Sequence, residues 1–587
     1  MAMEQQQPLP TFLALTGVVT LLLLALINHL VVSSRRRSPS PPPLRRRLPP
    51  SPPGGLPVIG HLHLLRPPAH RTFHDLASRL GAPLMLIRLG STRCVVASSA
   101  DVAGELIRHH DAAISGRPVT AVPRLFSYGS AGFAFTPYGA RWRFLRRLCV
   151  SEVLCPRTVE LLRPVRRAAM APLLNAVLAA SERGETVNLT RELIRFSIAS
   201  IVRMVATDAP ASVAGEAAEA VVKAVTELLG AFNVEDYVPL CRGLDLQGLR
   251  RKAAGVHRRF DALLEQMIRH KEEAREGGCG AIVEHEQVQD DKKQTPAATR
   301  KRSKDLLDIL MEKAEDDAAE VKLTRENIKA FITDVVTAGS DSSAATVEWM
   351  LAELINHPEA MDKVREEIDT VVGDDRIVGE ADLPRLPYLQ ATFKETLRLH
   401  PGAPVAHRVS SSTSEMAVGE FTVPPETAVF INVWAIGRDP AYWEDPLAFS
   451  PERFMPGGAA AGVEPRGGQN FQFMPFGGGR RGCPGVGLAQ QSVPAVVAAL
   501  VQCFDWVVVD GDGGETGLVD MDESEVAPAS APSHCSSEPV PGGRLGRVGR
   551  MPTGLPVPNF SPFRRSGCMD FAGRAGLRSY ALIETTP

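Results

Sequence analysis

Near the C-terminal end of the chain a single cysteine sits in the run Phe476-Gly477-Gly478-Gly479-Arg480-Arg481-Gly482-Cys483-Pro484-Gly485, directly before an apolar stretch of helical character from Gly485 to Val501. This loop constrains the fold more than any other segment. Glycines let backbone N–H groups approach the sulfur, and a helix starting at Gly485 would point its positive end at it. A thiolate held in this way is the protein ligand that donates enough electron density to haem iron to favour O–O cleavage. Arg481, two residues earlier, is placed where it can reach a haem propionate.

The same residues admit blander explanations. A lone cysteine is often a small buried core residue. The string Gly477-Gly478-Gly479-Arg480-Arg481-Gly482 also fits the dinucleotide pattern G-x-G-x-x-G, with Asp505 near the offset of a ribose-binding acid. However, the preceding segment ends in Pro475, which removes a ladder donor from any central parallel strand. A phosphate loop is excluded because no Gly-Lys-Ser/Thr follows.

Length and composition set the frame. At 587 residues and 44% hydrophobic, the chain has material for one very large domain or several ordinary ones. A net charge of −2 gives no sign of nucleic acid as a partner. Nine cysteines are scattered without a C-x-x-C, which argues against zinc and against a disulfide framework. A reducing, cytosol-facing catalytic part follows.

From Phe12 to Val32 the chain is almost continuously apolar, about 21 residues and long enough for one bilayer crossing. Arg35-Arg36-Arg37 and Arg45-Arg46-Arg47 follow it, and by the positive-inside rule the remainder faces the cytoplasm. A cleaved signal peptide fits less well, since the basic charge lies on the wrong side. The proline-rich stretch Ser38 to Pro57 predicts a stiff spacer. Beyond it, Leu84–Gly90 and Arg93–Ala97 predict a β-hairpin, and helical periodicity dominates to about Asp382. A charged insertion, Ala274 to Ser303, interrupts it as a surface loop. The longest helix runs from an N-cap at Thr324 to His357, where Pro358 ends it. Helices Glu359–Val372 and Leu386–His400 and strands near Ser414–Val423 and Ala428–Val433 complete a mainly α chain with small β-sheets.

Other motifs surround the cysteine. Glu395 and Arg398 lie one helical turn apart, and Arg453, in Phe449-Ser450-Pro451-Glu452-Arg453-Phe454, can complete a buried cluster with them. Within the long helix lies Ala338-Gly339-Ser340-Asp341-Ser342-Ser343. An interior glycine costs about 1 kcal/mol relative to alanine, so Gly339 calls for a reason. Its missing side chain would open a groove for a diatomic ligand, with Asp341 and Ser342 placed to pass protons to oxygen being reduced. A kinked core helix with solvent-facing polar residues is the alternative. Trp142 and Arg146 sit one turn apart in Trp142-Arg143-Phe144-Leu145-Arg146-Arg147.

Taken together, Phe476-x-x-Gly479-x-Arg481-x-Cys483-x-Gly485, the E-x-x-R pair, P-E-R-F and the Gly339 motif resemble the plant microsomal cytochromes P-450, over roughly Pro49 to Met521. Leu323-Thr324-Arg325-Glu326-Asn327-Ile328-Lys329-Ala330-Phe331 and Phe232-Asn233-Val234-Glu235-Asp236-Tyr237-Val238-Pro239 are most similar to the subfamily of flavone synthases, flavanone 2-hydroxylases and isoflavone synthases. The resemblance implies a cytochrome P-450 fold behind a single N-terminal transmembrane helix. It implies haem b ligated by Cys483 within the signature residues Phe476, Gly479 and Gly485, with O2 as oxidant. Trp142, Arg146, Arg408 and Arg481 would contact propionates. Glu395, Arg398 and Arg453 would lock the core beneath the haem. Electrons would come from NADPH through NADPH-cytochrome P-450 reductase, docked near Arg143 and Arg147. The protein would be single-pass in the endoplasmic reticulum membrane with a cytosolic catalytic domain.

Phe126, Phe133, Ala338, Ala403 and Val405, with Tyr128, Phe135 and Pro404, would line a substrate site suited to a flat hydrophobic molecule. A flavanone is the expected substrate; another phenylpropanoid or a triterpenoid stays open. The domains are expected at 1–34 (anchor), 35–60 (basic, proline-rich hinge), 61–525 (haem–thiolate domain) and 526–587 (tail without regular structure). Two departures from the family pattern bear on activity. Ser342 stands where threonine is usual, keeping the hydroxyl without the β-branch. After Val519-Asp520-Met521-Asp522 the expected terminal hairpin gives way to Gly-, Pro-, Ser- and Arg-rich sequence, as from an altered reading frame or splice form. A haem-binding but catalytically silent protein is therefore the competing functional class.

Overall fold

The computed structural model describes residues 47–509 apart from 119, 211–214, 277–303, 374, 412–414 and 466–469, and beyond them 518–519, 521, 544–548 and 580–582. The stretch Phe12–Val32 with its arginine flanks, nearly all of the charged insertion and most of 526–587 lie outside the described residues.

Helix α1 (Ala69–Leu80) precedes the hairpin of β1 (Leu84–Leu89) and β2 (Thr92–Ala97). Helices α2 (Ala100–His110), α3 (Ala121–Phe126), α4 (Ala140–Leu148), α5 (Arg163–Glu182), α6 (Leu189–Val205), α7 (Glu216–Gly230), α8 (Leu249–Glu276) and α9 (Leu306–Glu315) follow. The centre is formed by α10 (Arg325–Asn356), α11 (Pro358–Val371) and α12 (Pro387–Leu399). Four strands come next: β3 (Val405–Val409), β4 (Met416–Val418), β5 (Phe421–Val423) and β6 (Ala428–Asn432). The chain closes with α13 (Val486–Cys503), β7 (Val507–Val509), β8 (Arg544–Val548) and β9 (Tyr580–Leu582).

Helix α10 forms where the sequence places it. The Thr324 side chain accepts from Asn327 N–H and the Asn327 side chain returns to Thr324 N–H, a reciprocal cap, and Pro358 starts the next helix. Its burial runs all round from Asn327 to Leu354 with a gap near Gly339, as in a helix packed on every side. It lies against α6 and, through Leu351 and Leu354, in the same apolar core as α13. Helix α13 is long and apolar enough to cross a membrane, yet it is mostly buried in that core.

The sheets are ordered β1-β2-β6-β3, with β2 and β6 parallel, then β4-β5 and β7-β8-β9. Three of these features differ from the sequence-based expectation. Strand β3, which carries His407 and Arg408, was not anticipated; five residues after Pro404 give too short a pattern, and pairing with β6 defines the strand. The described part of the hinge packs on the domain: Arg47 bridges Phe421, Pro50 O accepts from Leu86 N–H at 2.8 Å, and Pro52 O bonds the His61 ring at 3.1 Å. Prolines fix φ and leave their carbonyls free, so they suit a chain laid against a sheet edge as well as a spacer. Strands β8 and β9 lie within the tail expected to lack regular structure, because the edge of β7 offers ladder groups that β8 satisfies.

Candidate active site

The loop before α13 is shaped by its glycines. Gly477 and Gly479 adopt φ of +67° and +63°, values open to glycine at little cost. A Cβ on Gly479 would also overlap the Asp111 carboxylate. That carboxylate accepts from Arg480 N–H at 2.9 Å and pairs with Arg408 at 3.3 Å. Gly479 thus has a close-approach role and does not line the cavity. Cys483 N–H donates to Phe476 O at 2.9 Å, and Gly485 N–H lies 3.3 Å from Cys483 Sγ. The thiol faces a cavity of about 330 Å3, which reconciles its solvent accessibility with its enclosure by protein atoms. Burial pushes the Cys483 thiol up, while Gly485 N–H and the Arg146 guanidinium act against it. A coordinating metal ion would supply the charge that deprotonates such a thiol.

Four arginines from four parts of the chain meet on the same cavity: Arg117 after α2, Arg146 on α4, Arg408 on β3 and Arg481 beside the cysteine. Arg146 donates to Gly482 O at 2.6 Å and Arg117 to His407 O at 2.6 Å. Arg408 also donates to Gly478 O. Burial, then the charges of Arg408 and Arg146, holds Arg117 down to about 10. Burial, then Arg117, Arg408 and Arg146, holds Arg481 down to about 9. Such a cluster favours a bound anion.

Arg481 is oriented differently from the sequence expectation. Its guanidinium donates to the carbonyls of Ser115 (2.8 Å), Phe133 (3.2 Å), Ala134 (3.3 Å) and Thr136 (2.6 Å). It also lies 4.6 Å over the Trp142 ring. These bonds use four of its five N–H groups. Trp142 Nε1 likewise donates to Phe133 O at 3.1 Å. Arg117, in no recognised motif, has more donor capacity left for a carboxylate; only its position in the fold, 290 residues from His407 in the chain, reveals it.

The rest of the lining comes chiefly from α10, the segment after α12 and Phe133. Ala338, Gly339, Asp341, Ser342, Ala403, Val405 and Phe133 all line the cavity. A Cβ on Gly339 would come 3.1 Å from Ile201 Cδ1, so the missing side chain also lets α10 approach α6 closely. Ser342 Oγ donates to Ala338 O at 2.7 Å, one turn back. Phe126 is not brought to the site: it packs in the core edge-on to His257, because α3 turns that face inward. Tyr128 donates to Asp261 at 2.8 Å and lines a separate polar cavity. Asp334, two turns before Asp341, does line the site, although the sequence reading passed over it.

With this geometry in place, the comparisons with known proteins become informative. The family described as cytochrome P450 matches residues 49–524. The chain belongs to the cytochrome P450 family. Cytochrome P450 93G1 of Oryza sativa subsp. japonica is 67% identical over 473 residues, covering 81% of this chain and 86% of that protein. The 3,9-dihydroxypterocarpan 6A-monooxygenase of Glycine max is 40% identical, covering 87% of this chain and 93% of that protein. The retinoic acid-bound cyanobacterial CYP120A1 structure has the same fold, with a TM-score of 0.63, 21% identity and coverage of 85% and 98%. The relatives place this P450 among plant enzymes, near flavonoid subfamilies, and it is a monooxygenase that uses haem with a cysteine thiolate and O2.

The residues present fit that cofactor: one cysteine thiol faces a cavity also lined by four arginines, Arg408 and Arg481 buried and Arg117 and Arg146 half-buried, suited to an iron porphyrin with two carboxylates. Away from the cavity lining, Arg398 forms a two-pronged pair with Glu395 at 2.8 and 2.7 Å, both side chains 0% exposed, and Arg453 Nε adds a bond to Glu395 at 3.2 Å. Arg398 also donates to Gly437, Pro446 and Ala448 carbonyls. This cluster does not line the cavity.

Proposed function

We propose that this P450 is a membrane-anchored monooxygenase that oxidises a flavanone or closely related flavonoid. In this reading Cys483 ligates the haem iron, and Arg117, Arg146 and Arg408 hold the haem carboxylates, with the Arg481 charge beside them. Haem ligated by a thiolate supplies the oxidising chemistry. The protein's own residues do the rest. Phe133, Ala338, Ala403 and Val405 bind the flat face of the substrate and exclude water. Asp341 and the Ser342 hydroxyl hold and pass protons at the α10 wall. Gly339 keeps that wall flat. The Glu395–Arg398–Arg453 cluster fixes the floor without touching reactants.

The observation that supports the reading is that small and apolar residues, Ala338, Gly339, Ala403 and Val405 with Phe133, line the same cavity as the Cys483 thiol. The name of the soybean relative, a 3,9-dihydroxypterocarpan 6A-monooxygenase, supports a flavonoid- or pterocarpan-type substrate. Electrons from NADPH-cytochrome P-450 reductase would enter from the basic face of Arg143 and Arg147. Both the endoplasmic reticulum location and the anchor at 12–32 are part of this proposal. Exposed Leu240, Leu244 and Leu246 support a lipid-facing side. They follow Tyr237, which packs on Gly90 near Gly60 and exposed Leu56.

The test uses microsomes containing this chain, the reductase and NADPH, supplied with a flavanone. NADPH-dependent oxidised product is expected, and it should be suppressed by CO. Turnover of a triterpenoid with no flavonoid turnover would overturn the substrate class. No turnover of anything by a haem-loaded protein would support the silent form.

A further inference from the structure

Between α3 and α4 the chain runs through Ala131-Gly132-Phe133-Ala134-Phe135-Thr136, a segment without regular structure that lies at the junction of the long helix and the cysteine loop. Its backbone carbonyls do the connecting. Phe133 O accepts from both Trp142 Nε1 and Arg481 Nη1, and the Ala134 and Thr136 carbonyls accept from Arg481 as well. Two α10 side chains hold the segment from the other side. Asn327 Nδ2 donates to Ala131 O at 3.1 Å, and Asp334 Oδ2 accepts from Ala134 N–H at 2.9 Å. Gly132 is needed for this approach, because a Cβ there would overlap the Asp334 carboxylate. Asp334 is itself buried and lines the cavity with Arg117 and Arg481.

Orientation of a ligand-holding side chain depends on the groups that hold it in turn. We infer that Asp334 is a positioning residue for the haem carboxylates: by pinning Ala134 it fixes the carbonyl row that holds Arg481, whose charge and one remaining N–H serve those carboxylates. This rests on the haem reading of the cavity. Asp334 touches no reactant in the account; it acts through the 131–136 segment. It also ties the helix carrying Asp341 and Ser342 to the residue two positions before Cys483.

The test measures the rate of haem loss to excess apomyoglobin from the full chain. The proteins compared are wild type, Asp334→Ala, Asp334→Asn, Arg481→Leu and Asp334→Ala combined with Arg481→Leu. The red-shifted CO spectrum of each reduced protein is recorded first. Loss of that band in the wild type defeats the haem–thiolate reading itself and is thereby separate from the present inference. Given the band, Asp334→Ala should lose haem several-fold faster. Asp334→Asn, whose side-chain oxygen can still accept from Ala134 N–H, should return close to the wild-type rate. The double variant should lose haem no faster than Arg481→Leu alone, since both changes act on one row of bonds. Independent, multiplying effects, or an asparagine no better than alanine, would overturn the inference. If Asp334→Ala takes up no haem, Gly132→Ala replaces it, because its Cβ displaces the same contact. An unchanged rate in Gly132→Ala, or an effect that multiplies with Arg481→Leu, overturns the inference equally.

Discussion

Arg398 shows what single residues contribute here. Its charge is wholly buried, and the Glu395 carboxylate and three backbone carbonyls satisfy it. Arg398→Met leaves Glu395 with only Arg453 and the Ser450 N–H and should cost about 3–5 kcal/mol, the usual range when one member of a buried pair is removed. Thermal unfolding should drop sharply and haem-loaded protein should fail to accumulate; retention of wild-type stability would count against the cluster's role. Ser342 makes the opposite kind of prediction. Its hydroxyl bonds Ala338 O, but a serine lacks the β-branch that restricts χ1. Ser342→Thr should therefore raise product formed per NADPH consumed, measured as coupling in the reconstituted system, with little change in stability. Both residues were legible in the sequence because their partners lie within a turn or in a fixed motif. Arg117 and Asp334 were not, since neither belongs to a local pattern and each meets its partners across 200 residues or more.

At the scale of elements, helices with strong local signals formed where the sequence places them, within a residue or two: α10 by its reciprocal cap, α11 and α12 by a proline at the first position. Strand β3 and the packed half of the hinge escaped notice because only pairing with β6 or the sheet edge defines them. Phe126 was assigned to the cavity from the family's loop position, whereas the inward turn of α3 decides where its ring goes. One inter-helix contact carries a pH signature. Glu353 of α10 accepts from His400 after α12 at 2.7 Å and pairs with His357 at 3.3 Å, while His400 stacks on Trp349 at 3.9 Å. Despite burial, these imidazoles hold the Glu353 carboxyl down to about 2. A depressed carboxylate stabilises the fold above its ordinary pKa, and that contribution is lost as pH falls from about 4.5 towards 2. Glu353→Gln should thus cost on the order of 3 kcal/mol at pH 6 and little at pH 2. Unfolding midpoints across that range check it; a cost independent of pH would show that packing, not ionisation, matters there.

For the whole molecule, the cavity is a convergence of distant segments on one thiol, and the family match that covers it begins at residue 49. A chain lacking residues 1–46 should therefore fold and take up haem with an unchanged spectrum while shifting from the membrane fraction towards the soluble one. Fractionation followed by spectroscopy measures both at once, and loss of haem binding would place the first 46 residues within the fold. The family, the cofactor and the mostly helical architecture were legible because a few short motifs report them; the carbonyl row that wires Arg481 and the identity of the cavity rim were not, because they exist only after the chain has closed. The account depends above all on iron–sulfur ligation at Cys483. Its most direct test is the spectrum of reduced protein with CO, recorded for wild type and for Cys483→Ala at matched haem content. The wild type should show the red-shifted Soret band of thiolate ligation, and the variant should lack it. The same band in both proteins would mean that another residue is the axial ligand and would contradict the account.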